Sequence, residues 1–586
     1  MKINNLLTNK YLFKTLVIVV IFSLIFFYSR YLNHGLPFFV NNDEIGFLKS
    51  TIFFFNFFSS NYKYLADPFY SPLFNFFGSA FIALVDGILN NNFSDIENHI
   101  YFNPSLLMKY GRLTSLLVSG TSLFIFYLIL NKLKISKVII INLLISLSFS
   151  LFFLDISLTN GKNSFFLLFF LLQYYFFLKY FQKIEKFNTK SYIVFGFLAA
   201  FSWGINYICA LVSITSILLL HYKKYKLTNL YYFIYFLILF ILIGFIPNYI
   251  YNETSTIWHW QDLSDLTNNH AFTNRIDKFQ DSFLRAIKII YFTERYYFLL
   301  FIIIFSFYIK SKKLQNRFLF FFTIILLLEP IFLLLITSRA FPQLKYFSPS
   351  ITLAYILFGL GFNEILKIYN KKILISLFLI VNLIIIILKF SQLNIAINII
   401  KSEHNFYNVY EKEFQNSDKT IYFLRNILIR KNENNLNLYK DLHLNDLIEE
   451  KWYGKDSLQS LNIKLKKIDN KYLTIPDQLK KITVLENIYE FKDIERLFKF
   501  LKEEKGYDFI GIPHVTPLEK SRTPNFSKKY SIIEYVENNF EMSNYYKGND
   551  LVTARDVIDK IYLGKIHELK NEERIGYPYK LYKINK

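Results

Sequence analysis

Three apolar stretches decide the fold of this 586-residue chain: TLVIVVIFSLIFFYS (15–29), KVIIINLLISLSFSLFFL (137–154) and FLFFFTIILLLEPIFLLLI (318–336). Each approaches the ~20 residues that an α-helix needs to cross a lipid bilayer. The chain is 53% hydrophobic and 20% aromatic, whereas a soluble protein of this length carries more charge and divides into several domains. The sequence therefore predicts a polytopic α-helical membrane protein.

The positive charge is concentrated in short segments between the apolar stretches. The formal net charge of the chain is +22. Lysine and arginine that repeatedly separate membrane spans mark the cytoplasmic face. The charge thus indicates topology, and nucleic acid is not expected as a partner. Most of the excess lies in the segments 1–14, 131–137, 179–190, 221–229, 310–317 and 363–372.

About eleven spans follow by parity if all six basic segments are cytoplasmic. The N-terminal stretch lacks a small-residue cleavage site, so it is expected to be a retained span with a cytoplasmic N-terminus. Residues 191–220 must then enter the membrane and return, with WGIN (203–206) as the turn between two short helices. The expected spans are 15–32, 110–130, 138–155, 164–180, 191–206, 207–220, 229–250, 296–310, 318–337, 347–363 and 373–391.

This topology divides the chain into two domains. Residues 1–391 form the transmembrane domain, with outer loops at 33–109 and 251–295, and residues 392–586 form an extracytoplasmic domain. Two interrupted apolar stretches of the first loop are expected to be helices lying in the membrane interface: 44–60 and 71–89. Strand and helix patterns predict an α/β fold for the second domain, with strand, helix, strand and a final strand in 481–491, 493–505, 507–515 and 579–584.

The first outer loop carries two adjacent carboxylates in NNDEIGF (41–47). A carboxylate beside apolar surface and a like-charged neighbour holds a proton more readily, which suits a general base. Asp43 and Glu44 are therefore candidate catalytic residues, with Asp43 favoured. The alternative is that the pair solvates the loop or caps a helix that begins at Ile45.

The arrangement resembles the C-type (GT-C) integral-membrane glycosyltransferases, which include protein O-mannosyltransferases and the aminoarabinose transferases of lipid A. The resemblance covers roughly residues 1–390. It rests on the N-terminal span, the acidic pair on the long outer loop, the helix YGRLTSLLVSGTSLFIFYLI (110–129) and the outer segment SRAFPQLKYFSPS (338–350). It implies inverting transfer of a sugar from a polyprenyl-phosphate donor to an acceptor hydroxyl on the outer face, with Asp43 as the first-loop acid.

Other family features match less well. Lys345 and Tyr346 stand in a segment similar to an Arg-Tyr-Leu-Pro motif, with lysine in place of arginine. DPFYSPLF (67–74) is similar to a His-Pro-Pro-Leu-Tyr stretch but lacks the histidine. Asn163 and Asn206 stand where family members often have an acid and a lysine. These departures keep open a membrane scaffold that has lost activity.

Basic residues at the outer ends of spans are candidates for binding the donor phosphate: Arg112, Arg295, Arg339 and Lys345. Arginine presents a planar fork that suits phosphate, whereas lysine acts as a point charge. The alternative for each position is a side chain that reaches lipid headgroups without a catalytic role.

Further polar residues are expected on the same face. Asp155 lies at the outer end of the third span, and an ionisable group at that depth needs a functional or solvating reason. Tyr346, His259 and His270 are additional candidates in outer segments, and Glu294 is a weaker one, from its location alone. No complete set of metal ligands is apparent, so no metal site is predicted, although a divalent cation is left open as cofactor.

The sequence thus predicts an integral membrane enzyme, in the inner membrane if the cell is bacterial. Its partners would be a polyprenyl-phosphate sugar donor, an acceptor that is a glycan, lipid or protein, and the surrounding membrane lipids. The alternative is a transporter or flippase of a lipid-linked sugar. The absence of a visible internal repeat and the large outer segments favour the enzyme.

Overall fold

The structure is a computed structural model of the chain. It describes residues 10–33, 72–90, 104–205, 207–246, 284, 291, 293–294, 347–368, 371–401, 421–423, 482–484, 494–499, 503, 509–513, 534–546 and 579–584. Within these ranges the first 401 residues are almost entirely helical, and the strands all follow them.

Eleven α-helices lie in the described residues up to 401. Their bounds are α1 Lys10–Ser29, α2 Pro72–Asn90, α3 Pro104–Lys132, α4 Lys137–Ser148, α5 Leu151–Leu158, α6 Asn163–Gln182, α7 Thr189–Ile205, α8 Tyr207–Tyr225, α9 Phe233–Leu239, α10 Ser348–Ile368 and α11 Lys371–Lys401. A 3-10 turn at Leu230–Tyr232 precedes α9, and a π-helical turn at Phe240–Phe245 continues it. A further 3-10 turn, Ile184–Lys186, joins α6 to α7.

Several of these helices are long and apolar enough to cross a membrane. In the described ranges five helices meet this condition by themselves, namely α1, α3, α6, α10 and α11, and the bent pair of α4 and α5 makes a sixth. Such helices satisfy their backbone hydrogen bonds internally, as a bilayer requires. The protein is therefore an integral membrane protein with several spans. The number eleven stays a prediction, since two expected spans, 296–310 and 318–337, lie outside the described residues.

Helix α2 covers the second of the two stretches expected to lie in the membrane interface; the first, 44–60, lies outside the described residues. Phe77 of α2 packs against Phe201 of α7 with ring centroids 4.8 Å apart, and Phe81 lies 6.0 Å from Phe165 of α6. Aromatic pairs at these separations stabilise helix contacts beyond the area that they bury. Helix α2 is thus anchored on the helical bundle itself.

The structure brings most of the basic segments to one end of the bundle, which we call the basic end. Gln182 donates a hydrogen bond to the carbonyl of Lys132, and Lys223 donates one to the carbonyl of Phe181, at 3.1 and 3.0 Å. Asn363 similarly donates to the carbonyl of Lys134 at 3.5 Å. Four of the six basic segments are joined by these contacts. The other end of the bundle, where α1 ends and α3 begins, is called the Arg112 end below.

A seam of small residues joins α7 to the helix 230–246. A Cβ built on Gly244 would lie 2.9 Å from the Cα of Ala200, and one built on Gly196 would lie 3.0 Å from the carbonyl oxygen of Phe236. Gly196 and Ala200 are four residues apart and therefore share one face of α7. Small residues at this spacing let two helix backbones approach closely in a membrane.

The residues after 401 contain a mixed five-stranded sheet in the order β2-β1-β3-β5-β4. Strand β1 pairs in parallel with β2 and β3, while β5 pairs antiparallel with β3 and β4. A helix, Ile494–Lys499, lies between β2 and β3 in the chain, as the sequence predicts. The strands are β1 Ile421–Phe423, β2 Ile482–Val484, β3 Phe509–Pro513, β4 Glu541–Tyr546 and β5 Tyr579–Lys583.

The strand patterns in the sequence predict β2, β3 and β5 but not β1 or β4. Strand β1 lies between β2 and β3 in the sheet, so the predicted strand–helix–strand unit does not make two neighbouring strands. At the sheet surface Lys580 donates a hydrogen bond to Glu537, 2.7 Å away. This bond raises the pKa of Lys580 above its usual value, because the carboxylate stabilises the ammonium form.

Candidate functional site

Arg112 lies near the start of α3, where the sequence predicts a phosphate contact. The residue is 1% exposed, and its Nη1 donates a hydrogen bond to the carbonyl oxygen of Leu32, 3.0 Å away. Leu32 follows the last turn of α1, so the arginine is tied to the point where the chain enters the loop 33–109. A guanidinium carries five N–H donors in a planar fork. A buried positive charge therefore stands at the base of the loop whose sequence contains Asp43.

The residue before Arg112 allows a loop to approach α3 closely. A Cβ built on Gly111 would lie 2.4 Å from Cγ of Asn160, so any larger residue would displace that side chain. Asn160 follows α5 and is completely buried. Its Nδ2 also contacts the sulfur of Met108 at 3.5 Å. These contacts hold the loop between α5 and α6 against the first turns of α3.

Asp155, a predicted polar site residue, lies on α5 and is 5% exposed. Its Oδ1 accepts a hydrogen bond from the hydroxyl of Thr159 at 3.4 Å. Helix α5 packs on α3, so this carboxylate lies at the Arg112 end of the bundle. Two of the predicted site residues, Arg112 and Asp155, are therefore brought to the same end. Each lies inside the bundle and is not exposed as a snorkelling side chain would be.

The sequence predicts one span at 138–155, and the structure covers this stretch with two helices, α4 and α5, that meet at a bend of 63°. Sharp bends usually occur at proline, glycine or π-bulges. The residues of the bend, SLSFS (146–150), include no proline or glycine. Ser150 is extended, with φ −71° and ψ 142°. The amides of Phe149 and Ser150 bond only two of the last carbonyls of α4, those of Ile145 and Leu147.

Side chains from other helices satisfy the remaining two carbonyls of α4. Lys389 Nζ donates to the carbonyl of Ser146 at 3.3 Å, and the Tyr28 hydroxyl donates to the carbonyl of Ser148 at 2.6 Å. A buried carbonyl that loses its donor costs about 1–3 kcal/mol, since no water is present in a bilayer to replace it. The bend is therefore stabilised by α1 and α11, which supply the donors that the α4 backbone lacks.

A buried ion pair lies beside the bend. Lys389 Nζ lies 2.5 Å from Glu294 Oε2, and the two side chains are 2% and 1% exposed. Tyr355 of α10 donates its hydroxyl to the same carboxylate oxygen at 2.7 Å, and Ser150 donates to Oε1 at 2.5 Å. Lys389 also donates to the Tyr355 hydroxyl. We call Lys389, Glu294, Tyr355 and Ser150 the bend cluster.

The donors of the bend cluster are directed to acceptors within the protein. An ammonium group has three N–H donors. Those of Lys389 have three acceptors, namely Glu294, Tyr355 and the carbonyl of Ser146. A buried pair with its remaining hydrogen bonds satisfied is tolerated, whereas removal of one partner leaves an unpaired charge. The hydrogen bonds of the cluster therefore join α4, α10, α11 and the segment at Glu294.

Most of the predicted site lies outside the described residues. This holds for the candidate acids, for the other phosphate-binding candidates and for the tyrosine and histidines: Asp43, Glu44, Arg295, Arg339, Lys345, Tyr346, His259 and His270. Their roles stay predictions. The same applies to Asn206, whereas Asn163 begins α6 and is 8% exposed.

Sequence reasoning missed three residues of the Arg112 end. Lys389 and Tyr355 were placed in spans without a role, and Tyr28 was placed in the first span. Glu294, a weaker candidate from its location alone, accepts hydrogen bonds from Tyr355 and Lys389. One signal was available, because a lysine within a long apolar span needs a partner.

The described residues offer no obvious cation site. No group of three His, Cys, Asp or Glu side chains among them lies close enough to hold a metal ion. Two carboxylates lie at the Arg112 end among the described residues. Asp155 accepts a hydrogen bond from Thr159, and Glu294 accepts one from Tyr355.

Comparison with known proteins finds similarities among solved structures. No family model matches the chain, and no curated protein matches it. Among solved structures it is similar to ArnT from Cupriavidus metallidurans, crystallised with undecaprenyl phosphate. The match covers 97% of this chain and 98% of that chain, with 11% sequence identity and a TM-score of 0.45. Similarity at this level does not by itself establish a shared fold or activity.

Proposed function

We propose that the protein is an inverting glycosyltransferase that moves a sugar from a polyprenyl-phosphate donor to an acceptor hydroxyl on the outer face of the membrane. The observation that carries the proposal is the position of Arg112. It is a buried cation bonded to the carbonyl of Leu32, at the base of the loop that contains Asp43 and Glu44. Transfer from a lipid phosphate needs a base and a cation held close together.

The distribution of charge supports the orientation. The basic end joins segments rich in lysine, and such segments face the cytoplasm in membrane proteins. The opposite, Arg112 end then faces outward, together with the loop 33–109. This orientation places the acidic pair on the side of the membrane where lipid-linked sugars serve as donors in the family that the sequence resembles.

In the proposed reaction Asp43 accepts the proton of the acceptor hydroxyl. The acceptor oxygen forms a bond to the anomeric carbon from the face opposite the phosphate, while the bond from that carbon to the phosphate oxygen breaks. The electron pair leaves with the phosphate, so polyprenyl phosphate is released and the sugar is inverted. Arg112 is proposed to stabilise the charge that develops on the departing phosphate.

A radiolabelled transfer assay tests this function. Membranes containing the wild type or Asp43→Asn are given polyprenyl-phosphate hexoses and pentoses, and label is followed into lipid, glycan and protein fractions. We expect Asp43→Asn to reduce transfer by about 10²–10⁴-fold, the usual contribution of a general base. Glu185→Gln is the matched control, because it removes a carboxylate on an exposed turn at the basic end.

The outcomes separate the components of the proposal. Equal transfer by Asp43→Asn and the wild type would remove Asp43 from the mechanism while leaving a transferase. Arg112→Lys keeps the charge but loses the fork, so it should retain more activity than Arg112→Gln if the arginine binds phosphate. Absence of transfer from every donor, with folded wild-type protein, would contradict the enzyme.

The bend gives specific support to the alternative, a transporter or flippase of a lipid-linked sugar. Transporters often contain interrupted helices and buried ion pairs near their substrate path, and α4–α5 with Lys389 and Glu294 has both features. Proteoliposomes loaded with a fluorescent polyprenyl-phosphate sugar distinguish the two functions. Movement of the intact lipid between leaflets without bond cleavage would favour transport.

A further inference from the structure

At the helix break between α4 and α5 the Ser148 hydroxyl donates to the carbonyl of Ile145 at 2.8 Å, a bond within the last turn of α4 that does not satisfy the carbonyls of Ser146 and Ser148. No proline or glycine occurs in SLSFS (146–150), and Ser150, at the N-cap position of α5, makes no capping hydrogen bond with its side chain. Its hydroxyl is directed instead to Glu294. The bend must therefore be maintained by contacts from elsewhere in the bundle, because a straight helix would satisfy more of its own backbone groups.

The bend determines where the chain goes next. A straight continuation of α4 would not carry the chain along the direction that α5 takes, 63° away. Through that change of direction α5 packs on α3. The loop after α5 then reaches the first turns of α3, where Asn160 fits against Gly111 and Met108. This contact lies next to Arg112 in the sequence.

We propose that Lys389 and Glu294 are positioning residues that hold the α4–α5 bend and, through it, the Asn160 loop beside Arg112. Lys389 does so in two ways, because it supplies the donor for the Ser146 carbonyl and pairs with Glu294. Glu294 in turn accepts the Ser150 hydroxyl at the start of α5. The effect of the pair on sugar transfer rests on the proposed function, whereas its effect on the bend does not.

A cross-linking measurement tests the position of the loop without any assay of activity. Met108→Cys and Asn160→Cys are introduced together in full-length protein in which the buried Cys209 is replaced by serine. The Asn160 amide and the Met108 sulfur are 3.5 Å apart, so two cysteine side chains at these positions face each other, and their rate of disulfide formation under mild oxidation in the parent protein is the reference. Disulfide formation is measured as the loss of reactivity toward a maleimide reagent, whose attachment to a free cysteine shifts the mobility of the protein on a gel.

Lys389→Met in this background should slow disulfide formation roughly tenfold, since the Ser146 carbonyl at the bend loses its hydrogen-bond donor. That variant also leaves Glu294 without its cation, and an unpaired charge in such a buried place is strongly destabilising by itself. The double variant Lys389→Met/Glu294→Gln removes both charges and leaves no unpaired ion. It should fold and still cross-link slowly, because the Ser146 carbonyl still lacks its donor.

Asn382 supplies a matched control on the same pair of helices. It lies two turns before Lys389 on α11, where it donates to Asn142 Oδ1 at 2.8 Å and accepts a hydrogen bond from the hydroxyl, not the carbonyl, of Ser146 at 3.4 Å. Asn382→Leu removes a buried polar contact between α11 and α4 without removing a donor from the end of α4. Its cross-linking rate should equal that of the parent protein. If all these variants cross-link at the parental rate, or if Asn382→Leu is slowed as much as the double variant, the positioning role is wrong.

Transfer kinetics distinguish positioning from general stability. In the assay described above, the double variant should lower kcat while KM for the polyprenyl-phosphate donor changes little, because the loop supports the reacting groups and not the lipid chain. If the double variant cross-links slowly but the wild type shows no transfer, the positioning of the bend is supported and the proposed transferase function is wrong. Normal cross-linking with normal wild-type transfer would remove the positioning role and keep the enzyme.

Discussion

Two helix contacts in this bundle solve the same problem in opposite ways. At the bend, α11 meets α4 through a buried ammonium, a carboxylate and hydroxyls that bond each other and the carbonyl of Ser146. At the seam, α7 meets the helix 230–246 through Gly196, Ala200 and Gly244, with no side chain between the backbones. Apolar surface gains little from association when lipid is the alternative, so membrane helices rely on close packing or on polar bonds.

Different kinds of substitution are expected to disrupt the two contacts. The seam depends on shape, so it is sensitive to added volume and indifferent to charge. The bend cluster depends on complete pairing, so it is sensitive to the loss of any one donor. Removal of one partner is expected to cost more than insertion of one methyl group. Three substitutions test this order.

Lys389→Met should have the largest effect on stability. It leaves Glu294 as a buried carboxylate without a cation, which typically costs about 3–5 kcal/mol. Thermal unfolding in detergent measures the loss of stability, with the fraction of protein that stays monodisperse as the readout. Lys389→Met/Glu294→Gln should recover part of it, because no unpaired charge remains. A single variant as stable as the wild type would show that the pair contributes nothing net.

Gly244→Ala should have an intermediate effect. The new Cβ would lie 2.9 Å from the Cα of Ala200, a backbone atom that cannot move aside by itself. Overpacking of this kind costs about 1–3 kcal/mol. Gly161→Ala is the matched control, since its Cβ would meet only the Asn163 amide at 3.9 Å. The same thermal measurement should separate the two variants, and equal stability would contradict the close seam.

Tyr28→Phe should have the smallest effect of the three. It removes the 2.6 Å hydrogen bond to the Ser148 carbonyl while keeping the ring in place against Phe153. The expected loss is about 1 kcal/mol, because one hydrogen bond disappears without leaving a charge. Hydrogen–deuterium exchange of residues 149–154 should rise in the full-length protein, while exchange in α7 should not change.

Much of the general architecture could be read from the sequence. The apolar stretches predict the spans, since length and hydropathy alone decide whether a helix crosses a bilayer. The strand patterns at 481–491, 507–515 and 579–584 match β2, β3 and β5. Strand β1 was missed because three residues between polar segments carry too weak a pattern, and β4 because EMSNYY has few apolar residues.

The candidate site was only partly predictable. Arg112 and Asp155 could be selected because charged residues near span ends are few and conspicuous. Their neighbours could not be, because Leu32 contributes a backbone carbonyl and Gly111 contributes the absence of a side chain. Neither contribution has a signature in residue type. Glu294 could be noticed, but its partners on α10 and α11 are 61 and 95 residues away in the chain.

The sequence by itself determined that the chain enters a membrane several times, and it predicts that the basic segments share a face. These properties follow from transfer free energies that each segment carries locally. Only the tertiary structure decided the bend of 63° in KVIIINLLISLSFSLFFL (137–154), whose residues favour one straight helix. The physical reason is that the freed carbonyls of Ser146 and Ser148 are stabilised by donors from α11 and α1, which no local pattern specifies.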